Sequence, residues 1–239
     1  MTAEPGVQNP SSGWRDRPLR IVAIGGGTGL STLLLGLKPF AHPRSAPRVD
    51  ITAVVTVTDD GGSSGRLRRD FKVLPPGDIR NCMVALSADE ALLSQLFQYR
   101  FARGRGLKGH SFGNLFLTAL SHVTGDFPQA VKVSAEVLAS AGRIYPCTAS
   151  NVGLEALLED GRTVVGETRI SRSRSRIRTI SLSRKCSPLP ETLEAIAAAD
   201  LITFGPGSLF TSLVPNLLVE GIPRWPGESP PPAGWAPGR

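Results

Sequence analysis

Twice along the chain a short apolar strand runs directly into a glycine loop and out into an apolar helical segment. The first joint is "IVAIGGGTGLSTLLLGL", Ile21 to Leu37, and the second is "LITFGPGSLFTSLVPNLL", Leu201 to Leu218. A strand that ends in bare backbone just before a helix gathers free N–H groups and the positive end of the helix dipole at one point, which suits a phosphate. In an open parallel sheet both joints project from the carboxyl edge, where ligands bind. Two such joints in one chain therefore predict an α/β fold with a ligand between them. Neither loop is a standard fingerprint. The dinucleotide pattern Gly-x-Gly-x-x-Gly needs glycine where Leu30 stands, and the Walker pattern needs a Gly-Lys pair that is absent. In the first joint the glycines cease at Leu30; Leu33, Leu34 and Leu37 take up helical spacing, and Thr28 or Ser31 is available to cap the first turn.

Between these joints, Asp50 to Val57 is rich in β-branched and apolar residues, as a parallel strand covered on both faces should be. Asp59 and Asp60 then stand at its carboxyl end, followed by "GGSSGRLRRDF". An acid there can accept hydrogen bonds from a ribose, or a carboxylate pair can hold Mg²⁺ beside a diphosphate. The plainer reading is an Asx turn that uses "DDGG" for its backbone conformations. Arg66, Arg68 and Arg69 would complement ligand anions or lie as surface charges.

Further helices are expected over Asp78 to Ser87, Glu90 to Phe101, Ser111 to Val123, Pro128 to Ala141 and Pro190 to Ala199. Asp78 reads as a capping or first-turn acid, and His110 either as a general acid or phosphate ligand or as a hydrogen-bonded structural residue. The alternation of Val152, Leu154, Ala156 and Leu158, the turn "EDGR" and the pair Val164 and Val165 predict a β-hairpin. Residues 1–18 read as a disordered leader and 223–239 as a disordered tail rich in Pro and Gly, leaving 19–222 as one folded domain.

A formal net charge of +7 favours anionic partners without choosing among them. Part of it sits in "RSRSRIR", Arg172 to Arg178, where an extended strand would align the arginines on one face as a phosphate or nucleic-acid comb, or simply as a solvated surface. The three cysteines are far apart and form no Cys-x-x-Cys pair, so neither a disulfide framework nor a zinc site is supported. No apolar run is long enough to span a bilayer, so no membrane insertion is expected. A Ser-His-Asp or Cys-His arrangement is not legible, and no catalytic residue is assigned.

Taken in order, "IVAIGGGTGLSTLLLGL", "VTDDGGSSGRLR", "LPPGDIRNC", "GHSFGNLFLTAL", "EDGRTVVGE" and "FGPGSLFTSLVPNLLV" resemble the bacterial gluconeogenesis factors, which are related to the 2-phospho-L-lactate transferases. The resemblance covers most of Arg20 to Ile222 and implies a Rossmann-like, mostly parallel sheet flanked by helices, with a β-hairpin insertion and the C-terminal part of the fold missing. It implies a ligand cleft that includes Gly26, Gly27, Thr28, Asp59, Asp60, Ser63, Asn114, Gly205, Gly207, Ser208 and Asn216. In the gluconeogenesis-factor branch the implied ligand is a UDP-sugar such as UDP-N-acetylglucosamine. The implied role there is a cytoplasmic regulator of cell shape and wall synthesis on gluconeogenic carbon sources, with protein partners receiving the signal. In the transferase branch Asp59 and Asp60 would hold Mg²⁺ beside a nucleoside diphosphate. Nucleic acid is the least favoured partner.

Overall fold

The computed structural model describes residues 17–42, 44–45, 48–88 and 91–223. Most of the expected leader and tail lies outside them. The organising element is a four-stranded parallel sheet in the order β3-β2-β1-β7, built from β1 (Leu19–Gly25), β2 (Val49–Val55), β3 (Arg143–Pro146) and β7 (Leu201–Phe204). Strands β1 and β2 pair over their whole length, from Leu19 opposite Val49 to Gly25 opposite Val55. Their apolar residues Ile21, Val22, Ala23, Ile24, Ile51, Ala53, Val54 and Val55 are all buried, which is why these strands read as continuous apolar runs and not as alternating ones.

From β1 the chain steps outward through β2 to β3, and only β7 returns to the other side of β1. The strand order thus reverses between β1 and β7. That reversal is the switch point at which open α/β sheets leave a crevice beyond their carboxyl ends.

Helix α1 (Gly27–Leu37) buries Leu30 and Leu34, with Leu33 and Leu37 packed against the same core, so the apolar stripe has the expected spacing. Its start differs from expectation. The N-cap is Gly26, which has no side chain to cap with, while Ser31 and Thr32 donate to the Thr28 carbonyl within the helix. Beyond β2, a stretch outside the expected helices forms α2 (Gly62–Phe71). Then follow α3 (Gly77–Leu86), α4 (Ala91–Gln98), α5 (Phe112–Thr124) and α6 (Phe127–Val137). The last two are capped by Ser111 and Asp126, which accept from the amides of Asn114 and Gln129.

The hairpin of β4 (Leu154–Leu158) and β5 (Thr163–Val165) is present, and β6 (Ile177–Leu182) adds a third antiparallel strand on the other side of β4. Helix α7 (Glu167–Ser171) closes a second, smaller core in which Ile170 meets Leu154, Ala156 and Leu158. The arginine comb does not form. Strand β6 begins only at Ile177, so Arg178 alone of that run lies on a strand, and residues 172–176 form an exposed connection from α7. Helix α8 (Pro190–Ala198) packs on β1 and β3 and leads into β7; a π-helical turn over Leu209–Leu213 and α9 (Val214–Leu217) follow. Cys82, Cys147 and Cys186 are free and buried.

Candidate functional site

The two glycine loops meet. A Cβ placed on Gly29 would overlap the Pro206 carbonyl and lie 3.2 Å from the Gly207 amide nitrogen, so the first turn of α1 is pressed against the backbone of the second loop. Only a residue without a side chain permits this approach. Gly207 in turn faces the Gly26 carbonyl, and the Gly205 amide donates to the Ile24 carbonyl at 2.9 Å. Gly26, Gly27, Thr28, Gly205, Gly207 and Ser208 therefore share one rim at the β1–β7 switch point, with Thr28, Gly207 and Ser208 exposed on it.

Beneath the rim lies Asn216 of α9, fully buried. Its amide donates to the carbonyls of Gly25 at 3.3 Å and Ser212 at 2.9 Å, pinning the end of β1 to the second loop. Its Oδ1 is buried without a partner, an arrangement that native structures seldom leave unexplained.

Carboxylates border the rim. Asp78, in the first turn of α3, does not cap its own helix; it accepts from the Gly27 amide across the interface between α1 and α3. Burial pushes its pKa up to about 7, with the nearby Asp59 adding to the rise and the Gly27 hydrogen bond opposing it. Gly26 is bare on the side facing this carboxyl, where a Cβ would sit 3.0 Å from Asp78 Oδ2. Glu167 is also raised, by burial first and then by Asp59 and Asp60, against hydrogen bonds from Ser171 and Thr211. These shifts describe four acids that feel one another from three separate segments of chain.

Asp59 and Asp60 divide the two readings made of them. Asp59 Oδ1 accepts from the Gly61 amide at 2.8 Å, the Asx turn of the plainer reading. Asp60 Oδ1 accepts from both the amide and the hydroxyl of Thr168, at 2.9 and 2.7 Å. It thereby ties the small antiparallel sheet to the end of β2. Both side chains are only partly buried.

Ser63 lies on α2 and Asn114 on α5, two helices that contact each other. Ser64 Oγ accepts from the Gly77 amide at 3.1 Å and joins α2 to α3, while the neighbouring Ser63 Oγ lies 2.9 Å from His110 Nδ1. A serine–histidine pair thus exists, formed by residues 47 positions apart. Burial lowers the His110 pKa, and Arg66 lowers it further. Asn114 and Arg80 are buried against each other's elements at Gly113, with Asn114 Oδ1 and Arg80 Nε lacking partners. Arg66 and Arg68 are engaged internally, Arg66 donating to the Lys108 carbonyl and Arg68 to Asn151 and the Val152 carbonyl.

Glu167 and Thr168 are not legible as site residues, because they reach the rim only when the hairpin insertion folds back over β2, whereas Thr211 arrives with the turn that follows the second glycine loop. Asp78 and His110 stand out in the sequence as polar residues but nothing local assigns them to the site. Among the described residues no set of three or more His, Cys, Asp or Glu side chains is arranged to hold a metal, and no helix is long and apolar enough to cross a membrane.

The comparisons agree with this architecture. Residues 21–225 match the family described as 2-phospho-L-lactate transferase CofD. A relative from Nostoc sp. is 57% identical over 204 residues, covering 85% of this chain and 43% of the relative. The gluconeogenesis factors of Bacillus subtilis and Halalkalibacterium halodurans are 52% and 51% identical, covering 85% and 84% of this chain and 62% and 61% of those proteins. The X-ray crystal structure of a protein from Bacillus halodurans superposes with a TM-score of 0.81 at 50% identity, covering 86% of this chain and 64% of that one. The chain thus spans between about two fifths and two thirds of the relatives it matches. A parallel sheet with glycine loops meeting at its switch point, and half of all aligned residues shared with gluconeogenesis factors, place the chain in the CofD family.

Proposed function

We propose that the rim where β1 and β7 end binds a nucleotide-containing small molecule, and that the ligand is a UDP-sugar such as UDP-N-acetylglucosamine. The observation that carries this reading is the apposition of the two glycine loops at the switch point, which gathers backbone donors from distant parts of the sequence where a diphosphate can reach them both. The uncommitted Asn216 Oδ1 beneath the loops supports it as an acceptor, and membership of the CofD family supports the nucleotide class. On this reading the protein is a cytoplasmic ligand-binding regulator that links growth on gluconeogenic carbon sources to cell shape and wall synthesis.

A second reading, favoured by the acids on the rim and by the family's description, is a Mg²⁺-dependent transferase acting at a nucleoside diphosphate. The residues fit a metal held by protein alone poorly. Asp60 Oδ1 already accepts two hydrogen bonds, Asp78 accepts from Gly27, and Asp59 has Oδ2 to offer. Such a site would hold Mg²⁺ through Asp59 together with the ligand phosphates, the usual economy of Mg²⁺ binding. The ion would supply charge neutralisation at the diphosphate.

Thermal-shift titration with UDP-N-acetylglucosamine, NAD, GDP and GTP, each with and without Mg²⁺, separates the readings. A ligand at 100 times its dissociation constant stabilises the fold by about 2.7 kcal/mol. For a domain of this size that raises Tm by roughly 5–11 °C. A response to the UDP-sugar without Mg²⁺ supports the regulator, and a Mg²⁺-dependent response to guanosine nucleotides supports the transferase. No response to any of them, with the Bacillus subtilis relative responding in parallel, rejects both for this chain.

A further inference from the structure

Residues 172–176 leave α7 as an exposed connection, and Arg172 and Arg174 border a concavity of about 460 Å³. Arg169 of α7 and Arg162 of the β4–β5 turn complete its lining, with Val164 and Ser173 between them. This volume falls in the range of small-ligand sites. Four arginines from three segments thus line one hollow on the insertion.

Their charges are poorly balanced within the protein. Asp160 binds Arg162 through two hydrogen bonds, at 3.0 and 2.7 Å, and so neutralises one of the four. Among the described residues Arg169, Arg172 and Arg174 have no ion-pair partner. Glu167, on the same helix as Arg169, is turned toward Ser171, Thr211 and the acids of the rim. Like charges held around one concavity repel, and an anion seated among them removes that repulsion. Arginine forks, moreover, match phosphate oxygens in pairs, which a single lysine-like charge cannot do.

We propose that the hollow lined by Arg162, Arg169, Arg172 and Arg174 is a second anion site, distinct from the rim, that takes a small ligand with two or more adjacent phosphate groups. The two sites differ in sign. The rim carries Asp59, Asp60, Asp78 and Glu167, so a diphosphate there gains from a cation; the arginine hollow needs none. They are also neighbours, because Thr168, which is bonded to Asp60, precedes Arg169 on α7.

Equilibrium titration of the whole chain with inorganic tripolyphosphate in EDTA tests the assignment. Saturable binding is expected, at least tenfold tighter than that of orthophosphate. The double substitution Arg169→Gln/Arg172→Gln should weaken it at least tenfold, and Asp59→Asn should leave it unchanged. All three residues have polar side chains that are not in the main core, and an unfolding curve checks that each variant is folded. Arg103→Gln/Arg105→Gln removes the same charge from an exposed segment elsewhere and should have less than a twofold effect. The proposal is overturned if both double variants lose affinity equally, if Asp59→Asn abolishes binding, or if titration never saturates. It is likewise overturned if a short single-stranded oligonucleotide binds more tightly than tripolyphosphate, because the hollow would then be part of a longer track.

Discussion

Gly29 and Gly36 lie two turns apart on the same helix, yet alanine should have opposite effects at the two positions. At Gly36 an added Cβ meets nothing within 4 Å, so Gly36→Ala only restricts the unfolded chain and favours the helix, a gain of about 0.5–1 kcal/mol. At Gly29 the same methyl group would lie 2.5 Å from the Pro206 carbonyl carbon and inside the space of its oxygen. Ordinary contact begins near 3.4 Å, so the loops must separate by well over 1 Å to clear that oxygen, and the neighbour is backbone, which cannot rotate aside. Overpacking of this kind costs about 1–3 kcal/mol, from which the helix gain must be subtracted. Taken at the middle of both ranges, the expected net loss is about 1 kcal/mol, or roughly 2–4 °C in Tm, against a rise of roughly 1–4 °C for Gly36→Ala. Urea and thermal unfolding of the two variants and the parent, followed by circular dichroism, read both effects. If Gly29→Ala is as stable as Gly36→Ala, the glycine loops do not abut and the rim does not exist as described.

Asp78 should make stability depend on pH. Its carboxyl has a pKa of about 7 in the folded chain against 3.8 unfolded, so the folded state holds the extra proton between those values. The contribution is complete below about pH 4 and is lost as pH rises through 7. Asp78→Asn should therefore flatten the fall in stability between pH 4 and pH 7 measured by urea unfolding; an unchanged slope would assign the shift elsewhere. Asp60→Ala should release the small sheet from the end of β2, because it removes a carboxylate that accepts two hydrogen bonds from Thr168. Hydrogen exchange over residues 154–182 should speed up by an amount equivalent to about 2–3 kcal/mol while β1 and β2 stay protected. Uniform loss of protection in both sheets would show that the insertion and the main sheet unfold as one.

How far the sequence reveals this molecule depends on the range over which each signal acts. The parallel strands were legible because burial on both faces imposes composition directly: Ile21 to Ile24 and Ile51 to Val55 have no polar face to hide. The stripe of Leu30, Leu33, Leu34 and Leu37 was legible for the same local reason. Helix α2 was not, since "GSSGRLRRDF" contains two glycines and two serines that disfavour a helix in isolation. What holds it is tertiary: Leu67 is buried, Ser63 reaches His110, Ser64 receives the Gly77 amide, and Arg68 spans to Asn151. The arginine run failed in the opposite direction. Its alternation has a period of two, but alternating cations supply no apolar face, and a strand forms only where Ile177 and Ile180 can pack on β4. The rim shows both limits at once. Its glycines were visible as backbone without side chains, whereas Glu167 and Thr168 became rim residues through a hydrogen bond to Asp60 across 108 positions of sequence. Residues that announce a site by their own chemistry can be read one at a time. Those that belong to it because the insertion folds back on β2 can be read only from the fold, and the pKa of Asp78 belongs to this second kind. A first-turn aspartate has an ordinary value until α1, α3 and the acids of two other segments close around it.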